Sequence, residues 1–379
     1  MRKIKVFFRL GKRPHPSNYE IIDFPPKGII YKYPPILRSK EEDPGLLHRI
    51  KVKLWLKYIR NRPPIIKIFP QGCDVIHTIN SIMNSGKTPW VMDLEHVWAL
   101  MSFNPANLKN EKYFAKVHKI LSSEYCKKLL AHTEASRISA INNGFKDIES
   151  KIETVYLTKR PVPDFKKPKN KVPIILWMGR RFWEKGGNTV LEVFNRLDGK
   201  ADFKMIVRGP VPEDLKRKYI GKKNIEIYDT ADFAFDKKWS DMYKEADIFL
   251  YPTNLDSFGN AFLDAMNYKV PIVTDDLFSA PELVEDGVNG FVVKHPMKWH
   301  NEKFQMIYPS FDDYIEKLKK FYDDNYFSEL AEKVMILIKN RSLREKMGRA
   351  GRNELLNGKF SIKKRNERLY QIYKEAAGK

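Results

Sequence analysis

Cysteine is almost missing from this chain. Only Cys73 and Cys126 occur in 379 residues, far apart and with no CxxC pair. That excludes a disulfide framework and a cysteine zinc site, and it points to a reducing, cytoplasmic compartment. Long apolar runs are missing too, since none approaches the roughly 18 residues of a membrane span. The opening MRKIKVFFRL gives way to GKRPHP too soon for a signal peptide. There is no internal repeat and no low-complexity tract. Acidic charge is in short supply: 47 Asp and Glu against 69 Lys and Arg leave a net +22.

The basic excess is uneven. Residues 1–170 hold 32 Lys and Arg against 15 Asp and Glu (+17), whereas 171–379 hold 37 against 32 (+5). A basic field attracts polyanions: nucleic acid, an anionic membrane surface, or phosphorylated small molecules. A lysine-rich proteome is the plain alternative, but such a bias should load both halves alike. The length suits two domains, and a hydrophobic content of 42% is that of a globular protein.

Punctuation and periodicity agree on two halves. Residues 161–173, PVPDFKKPKNKVP, combine four prolines with a lysine cluster and no apolar period, which marks a linker. Before it, KIKVFF, IIKIF, DVIH and PWVMDL read as short strands among helical patterns at 46–60 and 111–131. After it, VPIILWMG, FKMIVRG, IEIYD, DIFLYP, VPIVTDD and GFVV alternate with helical stretches near 187–197, 212–219, 239–245 and 260–268, and residues 314–378 read as helix. Strand–helix alternation in both halves predicts parallel, helix-covered sheets. Ligands of such sheets bind at the carboxyl ends of the strands.

Two segments imitate a nucleotide-driven motor. SGKT (85–88) lacks the first glycine of a phosphate loop, with Ser81 in its place, and Thr88 runs into Pro89 and strand-like WVM instead of a helix. GRAGR (348–352) lies within the helical run LREKMGRAGRNELL, its arginines expected on a solvated face. Nucleic acid is therefore not the expected partner.

TNLDSFGNAFLDAMNYKVPIVTDD (253–276) follows the buried strand DIFLYP and opens a helix at Gly259-Asn260. A helix N-terminus offers free N–H groups and a positive dipole end, suited to a diphosphate. Gly259, with no Cβ, lets a ligand approach the backbone. Asp256 on the loop and Asp264 about one turn into the helix stand eight residues apart. Carboxylates accept hydrogen bonds from vicinal sugar hydroxyls, so the pair suits the two ends of a nucleotide-sugar. ILWMGRRFWEKGG (175–187) is a second strand, glycine turn and helix, from which Arg180 and Lys185 project as cations for a leaving diphosphate. Taken singly, Asp256 reads as a turn residue and Lys185 as a surface lysine; together at two strand ends they read as a site.

The run from ILWMGRRFWEKGG through ADIFLYPTNLDSFGNAFLDAMNYKVPIVTDDLFSAPELVEDGVNGFVV resembles the donor domain of family 4 retaining glycosyltransferases, which have the GT-B fold. GKFSIKKRNERLYQIY is similar to that family's closing helix. The resemblance implies that Arg180 and Lys185 hold the donor diphosphate, beside the Gly179 turn. It puts Asp256 next to the transferred sugar, Asp264 on the nucleotide ribose, and the Ser257, Phe258, Gly259 and Asn260 stretch on sugar and phosphate. Arg208 and Gly209 would border the base. It implies no metal and no cofactor beyond the nucleotide-diphosphate-sugar co-substrate. Both carboxylates are glutamates in the family and aspartates here, on the order of 1.3–1.5 Å shorter in reach. Lys269 stands where the family has a glycine after the helix.

The first half carries less. GCDVIHTIN and PWVMDLEHVWALM resemble the family's first-domain strand pair, whose second strand ends in a histidine facing the donor sugar. His96 is the match, and Asp93 and Glu95 are the candidate acceptor contacts. The usual N-terminal glycine-rich loop is reduced to Leu10-Gly11-Lys12-Arg13. Residues 46–60 put Leu47, Ile50, Leu54 and Tyr58 on one helical face, which fits a domain helix or a helix lying on a membrane surface.

The expected architecture is α/β, a GT-B pair of Rossmann-like parallel-sheet domains facing each other across a cleft. Residues 1–165 would bind the acceptor, 166–360 the donor, and 361–379 would form a helix returning to the first domain. The expected activity is metal-independent, retaining transfer of a sugar to a glycan, lipid-linked or envelope acceptor. It would take place in the cytoplasm, with peripheral docking on anionic membrane as one reading of the charge. The alternative is a GT-B protein that binds a sugar or polyanion with weak or no turnover.

Overall fold

The computed structural model describes residues 3–12, 14–36, 62–84, 86–228 and 237–379. Two six-stranded sheets carry the fold, and every ladder in them is parallel. The chain divides into two units, Met1–Thr158 with His300–Ser310 and Ile362–Lys379, and Lys159–Trp299 with Phe311–Ser361.

In the first unit the strands are β1 (Ile4–Phe8), β2 (Ile29–Lys32), a short β3 (Ile65–Ile66), β4 (Val75–Ile79), a short β5 (Ile82–Met83), β6 (Trp90–Leu94), β7 (Cys126–Ala131) and β8 (Ile152–Thr154). The main sheet runs β2-β1-β4-β6-β7-β8, and β3 pairs only with β5. All five residues of β6, WVMDL, are buried, as a central parallel strand covered on both faces must be. The helix Ile362–Ala376 belongs to this unit because Leu369, Ile372 and Tyr373 pack on Ile4, Val6, Val75, Val91 and Leu130. Each such side chain contributes roughly 1.5–3 kcal/mol by leaving water. Arg365 fixes the first turn of this helix, donating to the carbonyls of Glu20 (3.0 Å) and Phe24 (2.9 Å).

In the second unit the strands are β9 (Ile174–Met178), β10 (Lys204–Arg208), β11 (Ile225–Tyr228), β12 (Ile248–Leu250), β13 (Ile272–Asp275) and β14 (Gly290–Val293). Their order, β11-β10-β9-β12-β13-β14, is the 3-2-1-4-5-6 order of doubly wound nucleotide-binding sheets. The order reverses between β9 and β12, and in such sheets the crevice outside the strand ends at that reversal takes the ligand.

Three expectations need correcting. The helical pattern at 111–131 is a helix only over Glu111–Ser122; Ser123 closes it, its hydroxyl donating to the Ile120 carbonyl, and CKKLLA becomes β7. Leu129, Leu130 and Ala131 are wholly buried in the sheet, and that burial outweighs their helix propensity. IIKIF keeps only two paired residues, and Phe69 is exposed. The arginines of GRAGR are not all solvated: Arg352 is buried and donates to Asn267 Oδ1 (2.9 Å), the Asn267 carbonyl and the Val162 carbonyl (2.6 Å). Gly348 has a packing reason, since a Cβ there would lie 2.1 Å from the Lys269 carbonyl oxygen. Lys269 adopts φ +56°, the left-handed conformation its position after the helix Asn260–Asn267 requires.

The proline-rich stretch is no free tether. Val162 N donates to Asn267 Oδ1 (3.0 Å), Lys167 to the Tyr268 carbonyl, and Asn170 to Asp247 (2.6 Å). Four prolines lack the N–H that a ladder or helix needs, so side-chain and carbonyl groups elsewhere in the second unit hold the stretch. The amphipathic pattern at 46–60, with Arg13 and Ser85, lies outside the described residues.

Candidate active site

Two loops meet at the strand-order reversal of the second unit. The one after β9 runs from Gly179 to Gly186 and leads into the helix Gly187–Leu197; the one after β12 leads through Asp256 to the helix Asn260–Asn267. Both helices start from a left-handed glycine, Gly186 at φ +70° and Gly259 at φ +86°, and no side chain caps either one. Two helix N-termini therefore lie at this end of the sheet, although Gly187 N already donates to the Phe182 carbonyl (2.8 Å). The glycines are dictated by space. A Cβ on Gly186 would lie 1.7 Å from the Pro252 carbonyl oxygen, and one on Gly259 would lie 2.4 Å from the Phe262 ring. Gly179 and Gly209 allow β9 and β10 to end in contact, for a Cβ on Gly209 would sit 2.4 Å from the Gly179 oxygen.

The loops are knit together by their own polar groups. Leu255 N donates to the Glu184 carbonyl (2.9 Å), Asn254 Nδ2 to the Trp183 carbonyl (2.7 Å), and Trp177 Nε1 to the Lys185 carbonyl (2.8 Å). Lys185 Nζ bonds the Leu255 carbonyl (2.8 Å) and pairs with Asp256 Oδ2 (2.7 Å), which also accepts from the Tyr251 hydroxyl (3.2 Å). Lys185 and Asp256, singled out separately in the sequence, are thus direct partners. Their side chains stay 19% and 17% exposed, enough to meet a ligand. Arg180, at the start of the same loop as Lys185, is exposed.

The remaining residues divide. Phe258 is buried edge-on against Phe360 and anchors the loop, while Ser257 and Asn260 are half-buried beside it. Asp264 is 6% exposed and pairs with Lys159 Nζ. Burial pushes its carboxyl above the usual range, and Lys159 offsets only part of that. Arg208, expected near the base, is buried with its guanidinium 3.8 Å from the Met242 sulfur.

Sequence reasoning missed Lys159, Tyr251, Asn254 and His295. His295 lies beneath the loops: its Nδ1 accepts from Met297 N, and its Nε2 lies 2.8 Å from Asn254 Oδ1. Burial pushes its pKa down to about 4, so it is a neutral donor to Asn254. Only the strand-end placement of HPM after GFVV hinted at it.

In the first unit, His96 caps the helix Val97–Leu100, its Nδ1 accepting from Trp98 N (3.1 Å). Burial, and then the neighbouring His132, push its pKa down to about 3. The ring is neutral, and with Nδ1 an acceptor its proton is on Nε2. Glu95 is half-buried next to it. Asp93, expected at the acceptor, is drawn into the interior instead: its Oδ1 faces His77 Nε2 at 3.1 Å, and His77 Nδ1 meets the Tyr373 hydroxyl at 2.6 Å. Burial raises the Asp93 pKa, but His77, His132 and Arg365 outweigh it and hold the carboxyl below its ordinary range. Among the described residues no group of three His, Cys, Asp or Glu side chains is arranged to hold a metal ion. No described helix is long and apolar enough to cross a membrane.

Comparison with known proteins bears on this arrangement. Residues 160–303, which contain both loops, match the family model described as glycosyl transferases group 1. The chain is 25% identical over 214 residues to the capsular polysaccharide biosynthesis glycosyltransferase CapM of Staphylococcus aureus, a match covering 54% of this chain and 48% of that one. The chain thus spans about half the length of that curated relative. A solved glycosyltransferase from Rickettsia africae ESF-5 superposes with a TM-score of 0.60 at 16% identity, over 99% of both chains. Anabaena Alr3699/HepE in complex with UDP-glucose does so with 0.59 at 13% identity, over 98% of this chain and 100% of that one. The chain has the GT-B fold, and its residues 160–303 are similar to the glycosyl transferases group 1 domain.

Proposed function

We propose that the chain is a retaining glycosyltransferase that moves a sugar from a nucleotide-diphosphate-sugar to a hydroxyl of a glycan, lipid-linked or envelope acceptor. The observation that carries this reading is the meeting of Lys185, Asp256 and two uncapped helix N-termini at the strand-order reversal. The match of residues 160–303 to a glycosyltransferase family model supports it. CapM is named for capsular polysaccharide biosynthesis, and the HepE structure holds UDP-glucose, so UDP-sugars and polysaccharide acceptors are the first probes.

In this mechanism the helix N-termini, Lys185 and Arg180 meet the charge of the diphosphate, a task that falls to the chain's own groups and not to a metal. The acceptor oxygen bonds to the anomeric carbon on the face from which the diphosphate departs. The carbon–oxygen bond to phosphate breaks, and the acceptor proton passes to the leaving phosphate oxygen. Asp256 stabilises the positive charge that develops at the sugar, and Lys185 lies between two anions, the carboxylate and the phosphate. Asp264 receives the ribose hydroxyls. In the first unit His96, neutral with Nε2–H, donates to a sugar hydroxyl, and Glu95 serves the acceptor. The site of action is the cytoplasmic face of an anionic membrane, to which the +17 of residues 1–170 attracts the chain.

One observation favours a second reading, a binding protein without turnover. Each family glutamate is a shorter aspartate here, already paired with a lysine. A panel of nucleotide-sugars separates the two readings. Ligand at 100 times its Kd adds about 2.7 kcal/mol of stability in either case. Only an enzyme releases nucleoside diphosphate and forms a product whose anomeric configuration, read by NMR, matches the donor. Binding without release leaves the second reading standing; binding of no nucleotide-sugar refutes the first.

A further inference from the structure

Lys159 was not marked by any motif, yet it holds a carboxylate of the proposed donor site. It lies just before the proline-rich stretch, and its partner Asp264 lies in the helix Asn260–Asn267. The Lys159 ammonium forms an ion pair with Asp264 Oδ1 and also stands 5.0 Å over the Trp239 ring. A lysine with both a carboxylate and an aromatic face as partners has little freedom left, and it fixes the carboxylate's rotamer in turn.

The other groups around Asp264 cannot replace it. Tyr243, from the helix Lys237–Glu245, and Tyr268, at the end of Asp264's own helix, are the titratable groups that feel its charge. Both phenols are pushed upward, first by burial and then by Asp264, and stay protonated. Arg352, from the helix Arg341–Leu356, is turned to Asn267 and Val162. Among the described side chains Lys159 is the one cation in contact with Asp264. Lose it, and an almost fully buried carboxyl keeps its desolvation cost with no counter-charge, and takes up a proton. A protonated acid is a poorer acceptor for a vicinal diol than a carboxylate is.

We propose that Lys159 is a positioning residue that fixes Asp264 as the hydrogen-bond acceptor for the ribose hydroxyls of the donor nucleotide. This rests on the nucleotide-sugar reading above. It also accounts for the aspartate where the family has glutamate, because the shorter side chain gains an orienting partner on its inner side.

The test is calorimetric binding of UDP, GDP and ADP and of their 2′-deoxy and 3′-deoxy analogues between pH 5.5 and 8. It compares the full chain with Lys159→Met, Lys159→Arg and the double variant Lys159→Met/Asp264→Asn. The wild type should prefer its ribonucleotide over the deoxy forms by about tenfold, as one lost hydrogen bond implies. Lys159→Met should lose that preference as pH falls, its ribonucleotide affinity dropping by about tenfold in all over this range. Its deoxynucleotide affinity should follow the wild type. Titration of the terminal phosphate is common to all variants and cancels in the comparison. Lys159→Arg should keep the preference. The double variant, which removes both buried charges and so folds without an unpaired one, should bind with no added pH dependence. If Lys159→Met keeps wild-type discrimination and pH profile, or if the double variant, where the single one does not fold, keeps wild-type ribose discrimination, Lys159 has no such role. If the wild type binds no nucleoside diphosphate at all, the donor reading itself fails and takes this proposal with it.

Discussion

Asp275, the last residue of β13, should make the second unit less stable as pH rises. It has no exposure, and its only polar neighbours among the described hydrogen bonds are the Tyr326 hydroxyl (2.9 Å) and Leu277 N (3.3 Å). Burial pushes its pKa up from 3.8 to about 8. A carboxyl whose folded pKa is raised binds a proton in the folded state that the unfolded chain has already lost. Stability therefore falls between about pH 4 and pH 8, at about 1.4 kcal/mol per unit, and levels off above. Over about four units that is on the order of 5 kcal/mol, a ceiling because the loop and entering water relax part of it. Asp275→Asn keeps the shape and the acceptor for Tyr326 but cannot ionise. Urea unfolding of both proteins at half-unit steps from pH 5 to 8.5, followed by tryptophan fluorescence, isolates the residue, since every other titration is common to both. The variant's advantage should widen steadily with pH at constant m value. Parallel stability curves, with the gap unchanged across the range, would refute the claim that Asp275 is buried neutral.

Lys185→Ala should lower turnover by roughly 10²-fold or more, as loss of a transition-state charge partner does; near wild-type steady-state kinetics would take Lys185 out of the mechanism. Asp264→Asn should chiefly raise the donor KM, since the ribose does not change during reaction, whereas Asp256→Asn should chiefly lower kcat. If both change KM alone, Asp256 only binds. Gly186→Ala, whose Cβ would meet the Pro252 carbonyl at 1.7 Å from a left-handed backbone, should destabilise the fold by about 2 kcal/mol or more; an unchanged melting temperature would mean that the loop yields freely. Anionic liposomes should retain the protein at low salt and release it as salt rises, while neutral ones bind little. Equal partition to both would reduce the +17 to composition.

What the sequence disclosed and what it hid have separate physical causes. Parallel strands buried on both faces are short apolar runs, so IILWM, KMIVR, IFL and IVTD were legible as strands from local composition alone. β7 was not, because CKKLLA follows a helix and has good helix formers; its burial beside β6 is a tertiary fact. Strand order was also out of reach, since alternation predicts a parallel sheet but not which neighbours pair. The site followed the same division. Glycine turns at strand ends announce themselves, so Gly179, Gly186 and Gly259 led to Lys185 and Asp256. The partners that hold those residues come from distant parts of the chain: Lys159 lies 105 residues before Asp264, and His295 lies 41 after Asn254. Each looks ordinary in its own surroundings. Asp93 shows the converse, a residue whose neighbourhood in sequence suggested ligand contact and whose strand turns it inward to His77. Local chemistry names the groups able to act on a substrate, and only the packed sheet decides which of them the interior has already engaged.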